Sequence, residues 1–237
     1  MLPAVWAATL LLCGCAETST VRLSGEEAYV PRHAEGYSIY ATDGASTVIE
    51  IRNPWQGGDS VRTQLFVSRG NELPPEGFDG VTVAAPVQRA VCFSSTHVAF
   101  LDALDATDAI RGVSGAEYIS NKKVRERYRE GDIRDVGYDT NLNLELLASM
   151  RPDLVLLYGV TGENTVVTGK LRELGIPYIY VGDYMEESPL GKAEWLMVAA
   201  ELCNDRDGAP NPSAASPNAT EPSKPPSPVP HPPSAPK

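Results

Sequence analysis

Four tyrosines stand where a ligand could be held. Tyr118, Tyr138 and Tyr184 each follow a short apolar run, after Ala109–Val113, Asp132–Val136 and Pro177–Val181, and Tyr158 closes the run Leu154–Tyr158. Phenol hydroxyls and ring faces of this kind suit a large, partly apolar ligand with polar edges. Each one alone is also an ordinary half-buried tyrosine; four at successive strand ends argue for a shared wall. A fifth segment, Ser94–His97, follows the run Arg89–Phe93.

Groups that make and break bonds are missing from the same stretches. The sequence has no GxGxxG and no GxxxxGK[ST], and Gly112-Val113-Ser114-Gly115 lacks the spacing of a nucleophile elbow. Of the histidines His33, His97 and His231, only His97 lies near the proposed cleft, and a zinc site needs several nitrogen or sulfur ligands. Asp102, Asp105 and Asp108 recur every third residue and read as a solvated helix face. Gly159-Val160-Thr161-Gly162 has no lysine to complete a phosphate turn. Cys92 and Cys203 sit in apolar surroundings and read as buried free thiols. No catalytic residue, metal or cofactor is assigned, and the expectation is a binding protein.

The elements that must position these residues fall into two parts. Residues 37–42 and 46–52 are β-prone and flank Asp43-Gly44, a hairpin signal; Val61–Val67 follows as a third run. Residues 70–86 are rich in Gly and Pro and read as a connector. From residue 87 apolar strands alternate with helical patterns: strand Arg89–Phe93, helix His97–Ala106, strands Ala109–Val113 and Asp132–Val136, a helix capped by Asn143, strand Leu154–Tyr158, helix Glu163–Leu174, strand Pro177–Val181, and a last helix capped by Ser188. The fold class predicted is α/β: a Rossmann-like parallel sheet flanked by helices, preceded by a small antiparallel β segment. In such a sheet ligands bind outside the carboxyl ends of the strands.

The chain has 237 residues, with 20 Lys plus Arg against 31 Asp plus Glu, a formal net charge of −11. That sign argues against nucleic acid and against binding anionic lipid by charge. Residues 1–15 hold an apolar stretch too short to span a bilayer as a helix and suited to the core of a secretory signal, although no Lys or Arg stands ahead of the apolar run. Leu12-Cys13-Gly14-Cys15 resembles a bacterial lipobox, which predicts lipid on Cys15 and attachment to the cell envelope, periplasm-facing or at the outer surface. Eleven of the 20 prolines fall in residues 209–237, so 205–237 is predicted to be a disordered tail.

Residues 86–204 resemble the N-terminal lobe of the periplasmic binding proteins that serve ABC importers of iron–siderophores, haem and cobalamin. Four stretches carry the resemblance in order: PVQRAVCFSSTHVAFLDALDATDAIRGVSG (86–115), VGYDTNLNLELLASMRPDLVLLYG (136–159), KLRELGIPYIYVGD (170–183) and EESPLGKAEWLMVAAEL (186–202). The resemblance implies a substrate-binding lipoprotein with a metal chelate as ligand and an ABC permease and ATPase as partners. It implies ligand contacts at Ser95, His97, Tyr118, Tyr138, Asp139 and Tyr158, and permease docking through Glu145, which also suits a helix start. Residues 16–85 fall outside the family pattern as a β-rich extension. The second lobe would begin after residue 204, where the Pro-rich tail stands instead, so the chain reads as truncated. A small α/β hydrolase and a non-transport surface lipoprotein are the alternatives.

Cys15 is expected to take up labelled palmitate, and Cys15→Ala to lose the label entirely. Equal labelling of both would place the anchor elsewhere.

Overall fold

The computed structural model describes residues 26–138 and 141–209. Cys15, Asp139 and the Pro-rich segment from 210 lie outside the described residues. Among the described residues no helix is long and apolar enough to cross a membrane.

The N-terminal part is a sheet of β1 (Glu27–Tyr29), β2 (Tyr37–Ala41), β3 (Thr47–Arg52), β4 (Arg62–Ser68) and β5 (Val81–Ala84), paired in that order. The expected hairpin is present, with Ile39 opposite Ile49, and Ile49 in turn opposite Leu65. Two expectations need correction. Residues 70–86 are not only a connector, because Val81 and Val83 pair with Leu65 and Val67 as β5. That pairing is parallel, so the sheet is mixed and not purely antiparallel. Gly80 permits it: a Cβ there would strike the Gln64 carbonyl, so β5 can close on β4 only with glycine at its entry.

The second sheet holds β6 (Ala90–Cys92), β7 (Ile110–Val113), β8 (Arg134–Asp135), β9 (Leu154–Leu157) and β10 (Tyr178–Tyr180). Its order is β10-β9-β6-β7-β8, and every pairing is parallel, as the apolar runs predicted. Among the described residues six α-helices accompany it: α1 (Ser95–Ala103), α2 (Lys122–Glu130), α3 (Leu144–Ser149), α4 (Thr165–Glu173), α5 (Pro189–Glu194) and α6 (Leu196–Cys203). Ser94, Asn121, Asn143, Asn164 and Ser188 each cap a helix through a side-chain oxygen, satisfying N–H groups that have no partner within the helix. The expected single last helix breaks at Trp195 into α5 and α6.

Side chains alternate across the parallel sheet. Val91, Val155 and Leu157 face Leu147 of α3 and Val167 and Leu171 of α4. Cys92, Leu154, Leu156 and Ile179 face the other way, toward Val98 and Leu101 of α1 and Val198 and Leu202 of α6. Ile39, Ile49, Ile51, Leu65 and Val67 of the first sheet join that second cluster. The N-terminal strands are therefore part of the same core and not an appended extension.

Carboxylates from α5, α6 and the segment ahead of them tie the two parts together. Glu194 accepts from the backbone N–H of Arg32, His33 and Ala34 at 2.7–2.8 Å and from the Tyr29 hydroxyl at 2.8 Å. Glu186 accepts from the next two amides, Glu35 and Gly36, and from the Trp195 indole at 2.9 Å. Glu201 meets Thr47 at 2.8 Å, Arg69 at 2.7 Å, and Arg206. Burial by itself would raise the Glu194 carboxyl; the amides and the Tyr29 hydroxyl outweigh it and hold the group below its ordinary value. Burial is likewise outweighed at Glu201, by Arg206, Arg69 and Thr47.

A carboxylate whose pKa is depressed by folding stabilises the fold above its unfolded value and loses that contribution as pH falls through its folded value. Glu194→Gln and Glu201→Gln are each expected to lower stability at pH 7 by on the order of 2–3 kcal/mol, because an amide nitrogen cannot accept the N–H groups it would face. Urea unfolding followed over pH should show the gap to wild type closing in acid, below the ordinary carboxylate range. A gap independent of pH would overturn the electrostatic account.

Candidate binding cleft

The parallel sheet reverses direction of growth at β6, which has β7 on one side and β9 on the other. Loops after β6 and β9 therefore diverge and leave a crevice at the strand ends. A cleft of ≈ 290 Å³ lies there, lined among others by Ser95, Ser114, Tyr118, Tyr138, Tyr158, Asp183 and Tyr184.

One side chain sets the geometry of half this rim. The Asp135 carboxylate, at the end of β8, accepts from Gly115 N at 3.0 Å, Ala116 N at 2.9 Å and Gly137 N at 2.9 Å. Ser114 adds a bond from its hydroxyl to the Gly137 carbonyl at 2.8 Å. The loop after β7 is thus tied to the loop after β8. Gly115 takes φ +69°, and a Cβ on it would approach the Tyr118 ring to 2.7 Å, so glycine lets the ring fold back over the turn Ala116–Tyr118. Tyr118 and Tyr138 then lie with ring centroids 5.4 Å apart at 59°, and the Tyr158 hydroxyl donates to the Tyr138 hydroxyl at 3.1 Å. Three loops from three strands meet through three phenols.

The first sheet braces the fourth loop. Gln56, between β3 and β4, donates its N–H to the Gly159 carbonyl at 3.0 Å. Its neighbour Trp55 packs edge-on against Tyr180 at 5.0 Å and occupies the space that a side chain on residue 159 would need. Residues 53–58, to which the sequence assigned no task, thereby hold the turn that follows Tyr158.

Ser95, Tyr118, Tyr138 and Tyr158 are brought together as expected. His97 is not: it is 1% exposed, on the face of α1 that also carries Val98 and Leu101. Burial pushes its imidazole down to about 3, so it is a neutral core residue turned away from the rim. Four residues on along α1 is Leu101, and that helical spacing was the available signal. Asp139 falls outside the described residues. Glu145 is exposed in the first turn of α3, and it does not line the cleft.

The sequence reading did not select Asp183, and it noted Tyr184 without assigning it to the site. Both follow β10 directly, the same position relative to their strand that selected the other tyrosines. Among the described residues Asp183 is the one acidic side chain lining the cleft, and no Lys, Arg or His lines it. Burial raises the Asp183 carboxyl to about 6, against the pull of Lys192 and of the backbone amides of Asp183 and Tyr184, with Glu186 adding to the rise. Lys192 itself donates to the Tyr184 carbonyl at 3.0 Å.

A carboxyl whose pKa is raised by folding stabilises the fold only below its unfolded value, and that contribution is lost as pH rises through the folded value. Asp183→Asn is therefore expected to be more stable than wild type at pH 7.5, by roughly 1–3 kcal/mol, with the difference fading below about pH 4. Thermal melts of both proteins at several pH values measure this. A variant less stable than wild type at pH 7.5 would mean that Asp183 holds the cleft as an ion.

Residues 91–187 match the family described as periplasmic binding protein. Two uncharacterized lipoproteins of Methanocaldococcus jannaschii are each 30% identical to the chain, one over 129 residues and one over 181. These matches cover 52% and 72% of this chain but 31% and 42% of the relatives, so the chain spans less than half the length of either. Among solved structures, the petrobactin-binding protein YclQ from Bacillus subtilis superposes with a TM-score of 0.45 at 15% identity, over 68% of this chain and 47% of that one. The periplasmic haem-binding protein HutB of Vibrio cholerae gives 0.42 at 20%, over 52% and 43%. Both are binding proteins by name. The stretch that matches the periplasmic binding protein family, residues 91–187, holds most of the parallel sheet and the loops of its strand-end cleft.

Proposed function

We propose that the chain is the substrate-binding component of an ABC-type importer and captures a metal chelate, an iron–siderophore or a corrinoid, at the rim formed by Ser95, Tyr118, Tyr138 and Tyr158. The observation that carries this reading is the linked set of phenols at the reversal point of the parallel sheet. It offers ring faces and hydroxyls in contact with one another, which suits holding a bulky ligand with a polar periphery. The match to the periplasmic binding protein family supports the same reading. The ligand is held and passed on unchanged; Glu145, exposed at the start of α3, is assigned to docking on the permease. The names of the lipoprotein relatives support an anchor on Cys15. Asp139, beside Tyr138, stays in the proposed contact set; His97 does not.

The charge of the cleft narrows the chelate. With Asp183 and no Lys, Arg or His among the described residues of its lining, it disfavours a highly charged anionic core such as a ferric tris-catecholate. A neutral hydroxamate or a cobalamin-type core fits better.

Calorimetric titration of the full chain with haem, cobalamin and ferric hydroxamate, catecholate and citrate tests the proposal. A hydroxamate or corrinoid is expected to bind, and Tyr138→Ala combined with Tyr158→Ala to weaken it by roughly tenfold or more, at about 1–3 kcal/mol per lost contact. Binding unaffected by that double change would move the site. No binding to any chelate, with turnover of an ester or phosphate, would remove the receptor reading.

A further inference from the structure

A second concavity of ≈ 590 Å³ adjoins the cleft and shares Tyr118 and Tyr138 with it. Its outer wall is α2, which contributes Arg125, Tyr128 and Arg129. The sequence pattern KKVRERYRE reads as a solvated basic helix, and for part of it that holds: Lys123 pairs with Asp108 at 3.5 Å, and Arg127 donates to the Thr107 carbonyl at 2.7 Å. Arg125 and Arg129 differ. They stand one turn apart, facing the concavity, and among the described residues neither guanidinium makes a hydrogen bond or an ion pair.

Two carboxylates, Glu117 and Asp135, line the same concavity. Asp135 is spent on three backbone amides. Glu117 lies beside the Tyr118 hydroxyl and raises its pKa. Two unpaired guanidiniums thus border a pocket with aromatic faces on the other side, a combination that recognises carboxylate or phosphate oxygens attached to a larger group.

We propose that this pocket is an anion subsite that reads a carboxylate or phosphate arm on the ligand whose neutral core sits in the tyrosine cleft. The inference rests on the chelate reading for the core, but the arginines can be probed without it. The placement of the cations is its physical basis: among the described residues the core cleft is lined by no Lys, Arg or His, whereas Arg125 and Arg129 lie beyond Tyr118 and Tyr138, with Asp135 in the same concavity already bonded to three backbone amides. The ligand class selected is a chelate with an uncharged centre and at least one anionic side arm.

The test uses a linear ferric trihydroxamate with a pendant ammonium and the same compound succinylated, so that the arm ends in carboxylate. Calorimetry on the full chain is expected to show the carboxylate form bound about tenfold more tightly, the effect of about one charge-assisted hydrogen bond. Arg125→Gln with Arg129→Gln should abolish that preference and leave the ammonium form unchanged. Equal affinity for the two forms in wild type, or a preference that survives the double substitution, overturns the proposal. A second titration, with citrate alone, follows the Arg125 and Arg129 side-chain Nε resonances by NMR. Saturable shifts in both support the subsite even if neither ferric compound binds, an outcome that would count against the chelate reading alone. Absence of shifts overturns it.

Discussion

Five consecutive backbone amides, from Arg32 to Gly36, end on two carboxylates, Glu194 and Glu186. A bent segment whose successive N–H groups converge in this way behaves as a small positive site, and the buried glutamates are its counter-ions. This contact fixes where the chain enters β2. With β2 placed, Tyr37 sets its ring edge-on against Trp195 at 5.1 Å and its hydroxyl on the Glu194 carbonyl at 2.8 Å. The register of β2, β3 and β4 follows, and with it the position of the loop carrying Trp55 and Gln56. The far end of that chain of contacts is the Gly159 turn at the cleft. The amide row thus acts on the site although it touches none of it.

The cleft depends on a similar device at smaller scale. Asp135 organises two loops through three amides, as the two glutamates organise the N-terminal entry. In both cases an ionised acceptor is matched to several backbone donors, which offsets the cost of removing the charge from water. A rim built in this way presents its tyrosines in defined positions before any ligand arrives. Less ordering is then left to occur on binding.

Charge is distributed to match. The chain is acidic overall, yet many of the acids near the functional surfaces are internal partners of backbone amides. Among the described residues, the tyrosine cleft carries one buried acid and three linked phenols, and the concavity beyond them carries two unpaired guanidiniums together with Glu117. Net charge alone would have predicted repulsion of every anion; the local arrangement separates a cleft lined by no cation from a concavity that carries two.

Local signals in the sequence determined the parallel half of the protein. The apolar runs gave β6, β7, β9 and β10, and Ser94, Asn143 and Ser188 marked helix starts, because a cap and a periodic stripe act within a few residues of themselves. The strand-end rule then brought Ser95, Tyr118, Tyr138 and Tyr158 to one place. The tertiary structure decided what depends on partners far along the chain. Val81 and Val83 became a strand only because Leu65 and Val67 offered an edge. Glu186, Glu194 and Glu201 carry no local signal of burial, since the amides of residues 32–36 and the Arg69 guanidinium that hold them stand more than a hundred residues away. His97 turned inward by its place on the helix, one turn before Leu101. Asp183 became a buried acid only once α5 and the Tyr184 turn closed over it. Spacing reports on neighbours in sequence, whereas burial and charge pairing are set by neighbours in space.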